Sequence, residues 1–295
     1  MSFEIPSSFR QDYKDAVVQL LQQRGSRFRP TVMVDTFTGK VARSVIQIGA
    51  VNARKRTTRH GDTPLISTPH DARWVYPQDY DWADLIDNED ALKAGVTLAS
   101  PYAINGASSM ARAMDDETIA AFFGSANTGE NGLNSVAFPA AQQIAASYGS
   151  SGGAVGLNVA KLREARRLLW AAEADLDNDP AYVAVSAKQH DDLLAEVQVT
   201  STDFNDKPVL VEGKIMRFMG FNFVHSERLQ TDASAYRRVP VWVKSGVCLG
   251  LWNDIQTEVT ARPDKNYAKQ VFVTGTFGAT RIEEKKVVEI KCSEA

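Results

Sequence analysis

The spacing of apolar residues divides the chain into an extended first part and a more regular second part. In the first forty residues, a short amphipathic helix is predicted before Gly25 from the positions of Tyr13, Val17, Leu20 and Leu21. From residue 41 the period shortens, and VARSVIQIGAV and ARWVYP are typical of two strands. We therefore predict an arm over residues 1–40 and a two-stranded excursion over residues 41–80. Because two strands alone are barely stable in water, this excursion should lie against another structure.

Helical spacing follows in NEDALKAGVTLA and SPYAINGASSMARAMDDETIAAFFG. Its apolar positions are Leu92, Val96, Ile104, Ala107, Ala111, Met114 and Ile119. Ser100 followed by Pro101 is typical of a helix start. The segment therefore predicts either two helices or one kinked helix. The glycine-rich stretches SANTGENG and SYGSSGGAVG, which come next, predict loops.

The remaining chain mixes helices and strands. Asn158 is a good cap for a helix that we expect to end at Asp179-Pro180. AYVAV predicts a short buried strand, and Ser186 with Gln189 has the spacing of a capping box. Five further runs are strand-like: KIMRFMGFNFV, VPVWV, GVCLGLW, QVFVTGTFGATRI and KVVEIKC. The whole pattern indicates an α+β fold.

Composition adds a few exclusions. The chain has 295 residues, 44% of them apolar, and a formal net charge of -3, which argues against a general nucleic-acid or membrane coat. Its two cysteines, Cys248 and Cys292, cannot form a disulfide framework and predict reduced thiols. No apolar run approaches the roughly 20 residues that span a bilayer, and the first residues lack the plan of a signal peptide. We therefore expect a soluble chain in the cytoplasm.

Candidate catalytic residues are few. The four histidines show no HExxH or CxxC spacing, so we predict neither a metal site nor a cofactor site. Neither glycine-rich stretch ends in the Lys-Ser/Thr of a phosphate-binding loop. Residues 149–153, GSSGG, match G-x-S-x-G, which would make Ser151 a nucleophile with His190 or His225 as its base. Because the strand before and the helix after such a serine are missing, a Ser151 hydrolase is kept only as an alternative.

One short segment carries a concentrated positive charge. Four of the six residues from Arg54 to Arg59 are basic, and we call these four the basic tip: Arg54, Lys55, Arg56 and Arg59. They lie between the two predicted strands of the excursion. Such side chains can pair with carboxylates, grip phosphate without reading sequence, or form a solvated turn.

The run ARAMDDETIAAFFGSANTGENG, Ala111 to Gly132, resembles the end of the long helix and the following loop of tailed-bacteriophage major capsid proteins with the HK97-type fold. The order of parts is similar to that family over nearly the whole chain, including AYVAVSAKQHDDLL and VEGKIMRFMGFNFVHSERL of its axial domain. The resemblance implies these segments: an N-terminal arm (1–40), a β-hairpin E-loop (41–80), a peripheral domain with spine helix and glycine-rich loop (81–157), an axial domain (158–270) and return strands to the peripheral domain (271–295).

The resemblance implies a structural role without catalysis. Copies would form pentamers and hexamers that close an icosahedral shell around double-stranded DNA, in a virion assembled in the cytoplasm of a bacterial host. The segment before the E-loop is shorter than the built-in scaffold of the family's type member, which implies a separate scaffolding protein. A portal is a further implied partner, and a decoration protein is left open. An encapsulin-like compartment shell is the alternative on the same fold.

In such a shell, the basic tip would lie on an adjacent subunit and meet carboxylates there. The sequence offers five candidates for this inter-subunit contact: Asp115, Asp116, Glu117, Glu283 and Glu284. Arginine suits these partners because its planar fork binds a carboxylate with two hydrogen bonds. DNA phosphate is the rival partner of the tip.

Overall fold

A computed structural model of the chain describes residues 21–55, 57, 59, 61, 65–86, 99–150, 152–196, 210–211 and 214–294. The predicted helix before Gly25 falls almost entirely outside these residues, as do residues 88–98, Arg56 and Ser151. The described helices are α1 (Ala99–Phe123), α2 (Val159–Ala171) and α3 (Ala187–Leu194). The described strands are β1 (Met33–Thr36), β2 (Ala42–Ile48), β3 (His70–Val75), β4 (Gln78–Ile86), β5 (Ala126–Thr128), β6 (Asn134–Val136), β7 (Gln143–Ile144), β8 (Ala181–Val185), β9 (Leu210–Val211), β10 (Lys214–Ile215), β11 (Arg217–Phe218), β12 (Phe221–His225), β13 (Arg237–Val243), β14 (Val247–Arg262), β15 (Ala268–Arg281) and β16 (Val287–Cys292).

A four-stranded sheet in the order β1-β14-β15-β4 packs against the long helix α1. β14 and β15 form a long antiparallel hairpin, β4 pairs antiparallel with β15, and β1 pairs parallel with β14. Gly106 lets α1 approach this sheet closely, because a Cβ there would lie 2.5 Å from Trp82 Cε3 and 2.7 Å from Val273 Cγ2. Met114 and Phe122 of α1 are fully buried in the core beneath the helix.

A second sheet has six strands in the order β11-β12-β8-β13-β16-β7. Alternate residues of β13 point to its two faces, as a strand requires. Val241 and Val243 join a core with Leu162 and Leu169 of α2, whereas Trp242 joins the core beneath α1. This sheet therefore separates the two hydrophobic cores.

The predicted helix starts in this half of the chain are confirmed. Asn158 caps α2, since its side-chain oxygen accepts a hydrogen bond from the Lys161 backbone N–H at 2.8 Å. The capping box of Ser186 and Gln189 is present at the start of α3. Both caps satisfy backbone N–H groups that have no partner inside the helix.

The predicted two-stranded excursion is confirmed as a pair of strands. We call β2, β3 and the connecting residues 49–69 the ribbon. β2 and β3 pair antiparallel from Ala42 opposite Val75 to Ile48 opposite His70. The prediction of a plain loop for SANTGENG is wrong, because β5 and β6 form a short hairpin that adds two strands to the ribbon at β3.

Two predicted helix ends are wrong. α2 ends at Ala171 and not at Asp179-Pro180, because Glu173 takes a left-handed conformation with φ of 57°. Its N–H donates to Trp170 O at 2.9 Å, and the Ala174 N–H donates to Leu169 O at 3.1 Å, which is the bond pattern of a Schellman motif. α1 begins at Ala99, so Ser100 lies inside its first turn and is not the residue before the helix.

The six-stranded sheet draws strands from residues 143 to 292, and the four-stranded sheet draws strands from residues 33 to 281. β15 runs across residue 270, where the axial segment was predicted to end, and β4 begins at Gln78, inside the predicted E-loop segment. The segment boundaries themselves stay predictions.

Candidate inter-subunit surfaces

The base of the ribbon is fixed to its own subunit by a buried arginine. Arg73 on β3 is 4% exposed, and its Nε donates to Ile282 O at 2.9 Å while its Nη2 lies 2.7 Å from Glu284 Oε1. Gln47 on β2 donates to the same Ile282 carbonyl at 2.5 Å. These bonds hold the paired strands β2 and β3 to the body of their own subunit.

The ribbon exposes apolar side chains, both on β2 and in the residues that connect β2 to β3. Their exposed fractions range from 48% to 99%, in Ile46, Ile48, Val51, Leu65 and Ile66. A large aliphatic side chain gains roughly 1.5–3 kcal/mol when it is fully buried. The described part of the chain leaves these side chains uncovered, so this surface gains free energy when another molecule covers it. Of the basic tip, Arg54, Lys55 and Arg59 are exposed in the same region, and Arg56 lies outside the described residues.

Asp115 is engaged within its own subunit. It is 0% exposed on α1, and its carboxylate accepts hydrogen bonds from Ser26 Oγ at 2.5 Å and Gln23 Nε2 at 2.5 Å. The backbone N–H groups of Arg27 and Phe28 donate to it at 3.0 Å and 3.2 Å. Asp115 thus binds residues 23–28 of the arm to α1. A fully buried carboxylate offers no surface to a neighbouring subunit.

The two acidic residues after Asp115 face the surface but have partners in the chain. Asp116 forms a two-pronged ion pair with Arg228, in which Arg228 Nε donates to Oδ1 at 2.6 Å. Glu117 accepts a hydrogen bond from the hydroxyl of Tyr80 on β4. Burial of the ring, followed by this bond to Glu117, raises the pKa of Tyr80. These contacts tie α1 to the loop after β12 and to β4.

The two C-terminal candidates, Glu284 and Glu283, differ in how accessible their side chains are. Glu284 lies between two buried arginines, 2.7 Å from Arg73 and 3.9 Å from Arg281. Arg281 donates to the carbonyls of Phe122 at 2.9 Å and Gly124 at 2.8 Å, which places its positive charge at the negative end of α1. Glu283 is more accessible, with a side chain 44% exposed and 3.4 Å from Lys286.

The five predicted carboxylates therefore do not form one site. Asp115 belongs to the arm contact, Glu117 to the contact of α1 with β4, and Glu284 to the ribbon base. The side chains of Asp116 and Glu283 are 45% and 44% exposed, and each has a partner in its own chain. Sequence reasoning missed the burial of Asp115, although its position four residues after Ala111 puts it on the apolar stripe of the helix.

Two of the three residues named for a hydrolase, His190 and His225, are described by the structure. His190 and His225 line a cavity of about 700 Å³ with Arg27 and Lys214. His190 Nε2 accepts a hydrogen bond from the Ile215 N–H at 3.2 Å. Burial, and then the charges of His225 and Lys214, lower the pKa of His190. Ser151 lies outside the described residues.

Two further features were sought among the described residues, a cluster of metal-ligating side chains and a membrane-spanning helix. Among the residues that the structure describes, there is no group of three or more His, Cys, Asp or Glu side chains that would hold a metal ion. In the same part of the chain, no helix combines the length and apolar character that crossing a bilayer requires.

Solved structures share this architecture over almost the entire chain. The capsid of cyanophage P-SCSP1u superposes with a TM-score of 0.71 at 15% identity, covering 98% of this chain and 94% of that one. The capsid of cyanophage Pam1 gives 0.71 at 14% identity, covering 100% and 99%. A structure from Mycobacterium phage Che8 gives 0.67 at 14% identity, covering 97% and 98%. The fold is thus the HK97-type fold of phage capsids.

The sequence identifies the family directly. The model of the family described as "Phage capsid protein" matches residues 5–294, whereas no curated protein matches the chain. The chain belongs to the phage capsid protein family and is a major capsid protein that forms the viral shell.

Proposed function

We propose that this major capsid protein assembles with copies of itself into pentamers and hexamers, and that these close an icosahedral shell around double-stranded DNA. The role is structural, needs no cofactor and involves no catalysis. The observation that carries the proposal is the ribbon. Its base is anchored by Arg73, whereas its outer part presents aliphatic side chains and the basic side chains of Arg54, Lys55 and Arg59, which are exposed in their own subunit.

Each contact that the ribbon makes is weak, and the stability of the assembly comes from the number of these contacts. One exposed ion pair contributes about 0.2–1 kcal/mol. In a closed ring every subunit gives one ribbon and receives one, so many such contacts act together and produce avidity. Weak charged contacts also favour correct register over premature tight binding.

We further propose that the basic tip meets carboxylates of the adjacent subunit. Asp115 is removed from the candidates by its full burial, and Glu117 and Glu284 are already bound inside the subunit. Asp116 and Glu283 stay possible acidic partners because both are accessible. The tip binds DNA phosphate only if the ribbon faces the interior of the shell.

The proposed partners beyond the chain itself follow from membership of the family. We propose a separate scaffolding protein and a portal. A decoration protein is an open partner. The shell belongs to the virion, and its proposed place of assembly is the cytoplasm of the bacterial host.

Negative-stain microscopy of the purified chain tests the proposal. We expect closed particles, and nuclease-protected double-stranded DNA inside virions that carry the protein. An enzyme cargo in place of DNA would identify an encapsulin-like compartment, and labelling of Ser151 by a fluorophosphonate probe would identify a hydrolase. Chains that stay monomeric at high concentration, with or without a scaffolding protein, would contradict the proposal.

A further inference from the structure

We infer that the cavity lined by His190 and His225 is a binding site for a phosphate group, carried either by a free nucleotide or by the backbone of DNA. The volume of the cavity, about 700 Å³, is within the range of small-molecule sites in proteins. All the side chains that line it belong to one subunit, so the site is independent of the proposed shell.

Four basic side chains line the cavity, and they come from four different parts of the chain. Arg27 lies in the arm, His190 on α3, Lys214 on β10 and His225 on β12. Among the described residues that line the cavity, none is acidic. The charge of the lining is therefore positive, and an anion gains electrostatic free energy by entering it.

Hydrogen bonds fix the protonation of the His225 ring. Arg27 Nη1 donates to the backbone carbonyl of His225 at 2.5 Å and to its Nδ1 at 2.8 Å, because an arginine can only donate. The ring proton is therefore on Nε2, which donates to Glu227 Oε1 at 2.8 Å. The same Glu227 oxygen accepts the backbone N–H of Ala187 at 2.6 Å. The carboxylate beside the cavity thus serves His225 and α3, and in the described part of the chain Arg27 has no ion pair.

Three donors stay available to an anion. Arg27 has N–H groups other than those on Nη1. His190 Nε2 accepts the Ile215 N–H at 3.2 Å, so its ring proton is on Nδ1 and can be donated. Lys214 is exposed, and within the described residues its ammonium group has neither a hydrogen bond nor an ion pair.

These donors fit a phosphate better than a carboxylate. They belong to three separate elements, and a phosphate offers oxygen atoms in several directions, whereas a carboxylate offers two in one plane. A guanidinium binds two phosphate oxygens at once, and a lysine binds phosphate as a point charge. One water takes about 30 Å³ in the liquid, so the cavity also has room for the sugar or base that carries the phosphate.

Calorimetric titration of the purified full-length chain with inorganic phosphate tests this assignment. Sodium chloride keeps the ionic strength constant, so that general screening is the same throughout. We expect saturable binding with a Kd on the order of 1 mM. Lys214→Gln should weaken it about tenfold, because a hydrogen bond from a charged group is lost. Arg27→Gln should weaken it at least as much.

Lys188→Gln is the matched control. Lys188 is also an exposed lysine, but it lies outside the cavity lining, and its Nζ is 3.4 Å from Asp192. Its substitution should leave phosphate binding unchanged. If Lys188→Gln weakens binding as much as Lys214→Gln, the effect is one of overall charge and the assigned site is wrong.

The histidine rings locate the bound phosphate. The chain has four histidines, and His70 is exposed on β3, outside the cavity lining. In NMR spectra of the rings, assigned through single His→Gln variants, phosphate should shift the signals of His190 and His225 and leave that of His70 in place. Equal shifts at His70 would show unspecific binding and overturn the assignment.

Two further ligands identify the source of the phosphate. dAMP and a single-stranded oligo(dA) are titrated into the wild type and into Lys214→Gln. Tighter binding of dAMP that Lys214→Gln weakens identifies a free nucleotide, and the same result for oligo(dA) identifies the DNA backbone. If Lys214→Gln leaves all three affinities unchanged, or if none of the three ligands binds saturably, the site does not exist. None of these results depends on particle formation, so failure here leaves the proposed shell intact.

Discussion

Replacing Asp115 by alanine should release the end of the arm from α1. The carboxylate accepts four hydrogen bonds, two from side chains and two from the backbone N–H groups of Arg27 and Phe28. The side-chain donors, Gln23 and Ser26, can turn to water when the carboxylate is gone. The two backbone donors cannot do so while the arm stays docked, so the substitution leaves them without a hydrogen-bond partner.

The magnitude follows from those two donors. A buried polar group left without a partner costs about 1–3 kcal/mol, and the Phe28 N–H is the more buried of the two. We take about 3 kcal/mol as the loss in the free energy of arm docking. At about 1.4 kcal/mol for each factor of ten, the population of subunits with a released arm should rise roughly a hundredfold.

Limited trypsin digestion measures this release. Cleavage after Arg27 needs an extended chain around the bond, and Phe28 on its far side is 0% exposed in the docked arm. The rate of this cleavage tracks the released population when docking is fast compared with proteolysis. We therefore expect it to rise roughly a hundredfold in Asp115→Ala, with the cleavage site identified by mass spectrometry.

The neighbouring residue provides the control. Asp116 is the same residue type one position along the helix, but its ion pair with Arg228 is exposed on both sides and contributes about 0.2–1 kcal/mol. Asp116→Ala should therefore change the cleavage rate less than about tenfold. Equal rates in the two variants would show that Asp115 does not hold the arm.

Three other predictions concern packing, pH and thiol chemistry. Gly106→Ala should lower the free energy of unfolding in urea by about 1 kcal/mol. Crowding of the new methyl group against the sheet costs about 1–3 kcal/mol, and the better helix propensity of alanine offsets only about 1 kcal/mol of that cost. A stabilised variant would show that α1 can move away from the sheet. The folded state lowers the pKa of His190 below its ordinary 6.5, so the unfolded chain takes up a proton first as the pH falls. The contribution of His190 to stability should be constant above about pH 6.5 and decline below it. His190→Gln should therefore make the fall in the urea midpoint between pH 7 and pH 5 smaller, and a larger fall would contradict this reasoning. Burial raises the pKa of Cys292 to about 12, so iodoacetamide at pH 8 should label it only after denaturation, and labelling in the native protein would contradict its burial.

Local patterns in the sequence predicted the elements that local chemistry decides. Asn158 and the pair of Ser186 and Gln189 form the expected helix starts, because a cap depends on residues within one turn. Strands β8, β13 and β16 of the second sheet were equally predictable from AYVAV, VPVWV and KVVEIKC, since their apolar residues recur at the spacing of a buried strand, whereas β7 was not predicted. The end of α2 could not be predicted in this way, because Glu173 occupies a left-handed position at which the sequence normally has glycine.

The candidate site was less predictable, because its contacts join distant parts of the chain. Asp115 and Ser26 are 89 positions apart, and Arg73 and Glu284 are 211 positions apart. No local pattern distinguishes a carboxylate with such a partner from a free one. The far half of β14 was missed for a second reason. The far half of β14, which carries Glu258, is polar and exposed, and it is a strand only because β15 pairs with it.

The central claim is that the ribbon belongs to a neighbouring subunit within a closed shell. Electron cryomicroscopy of assembled particles tests this most directly. We expect the side chains of Ile48, Val51 and Leu65 to be covered by an adjacent copy, with the basic tip against carboxylates of that copy. A subunit whose ribbon lies against its own body, or a preparation that contains only monomers, would contradict the account.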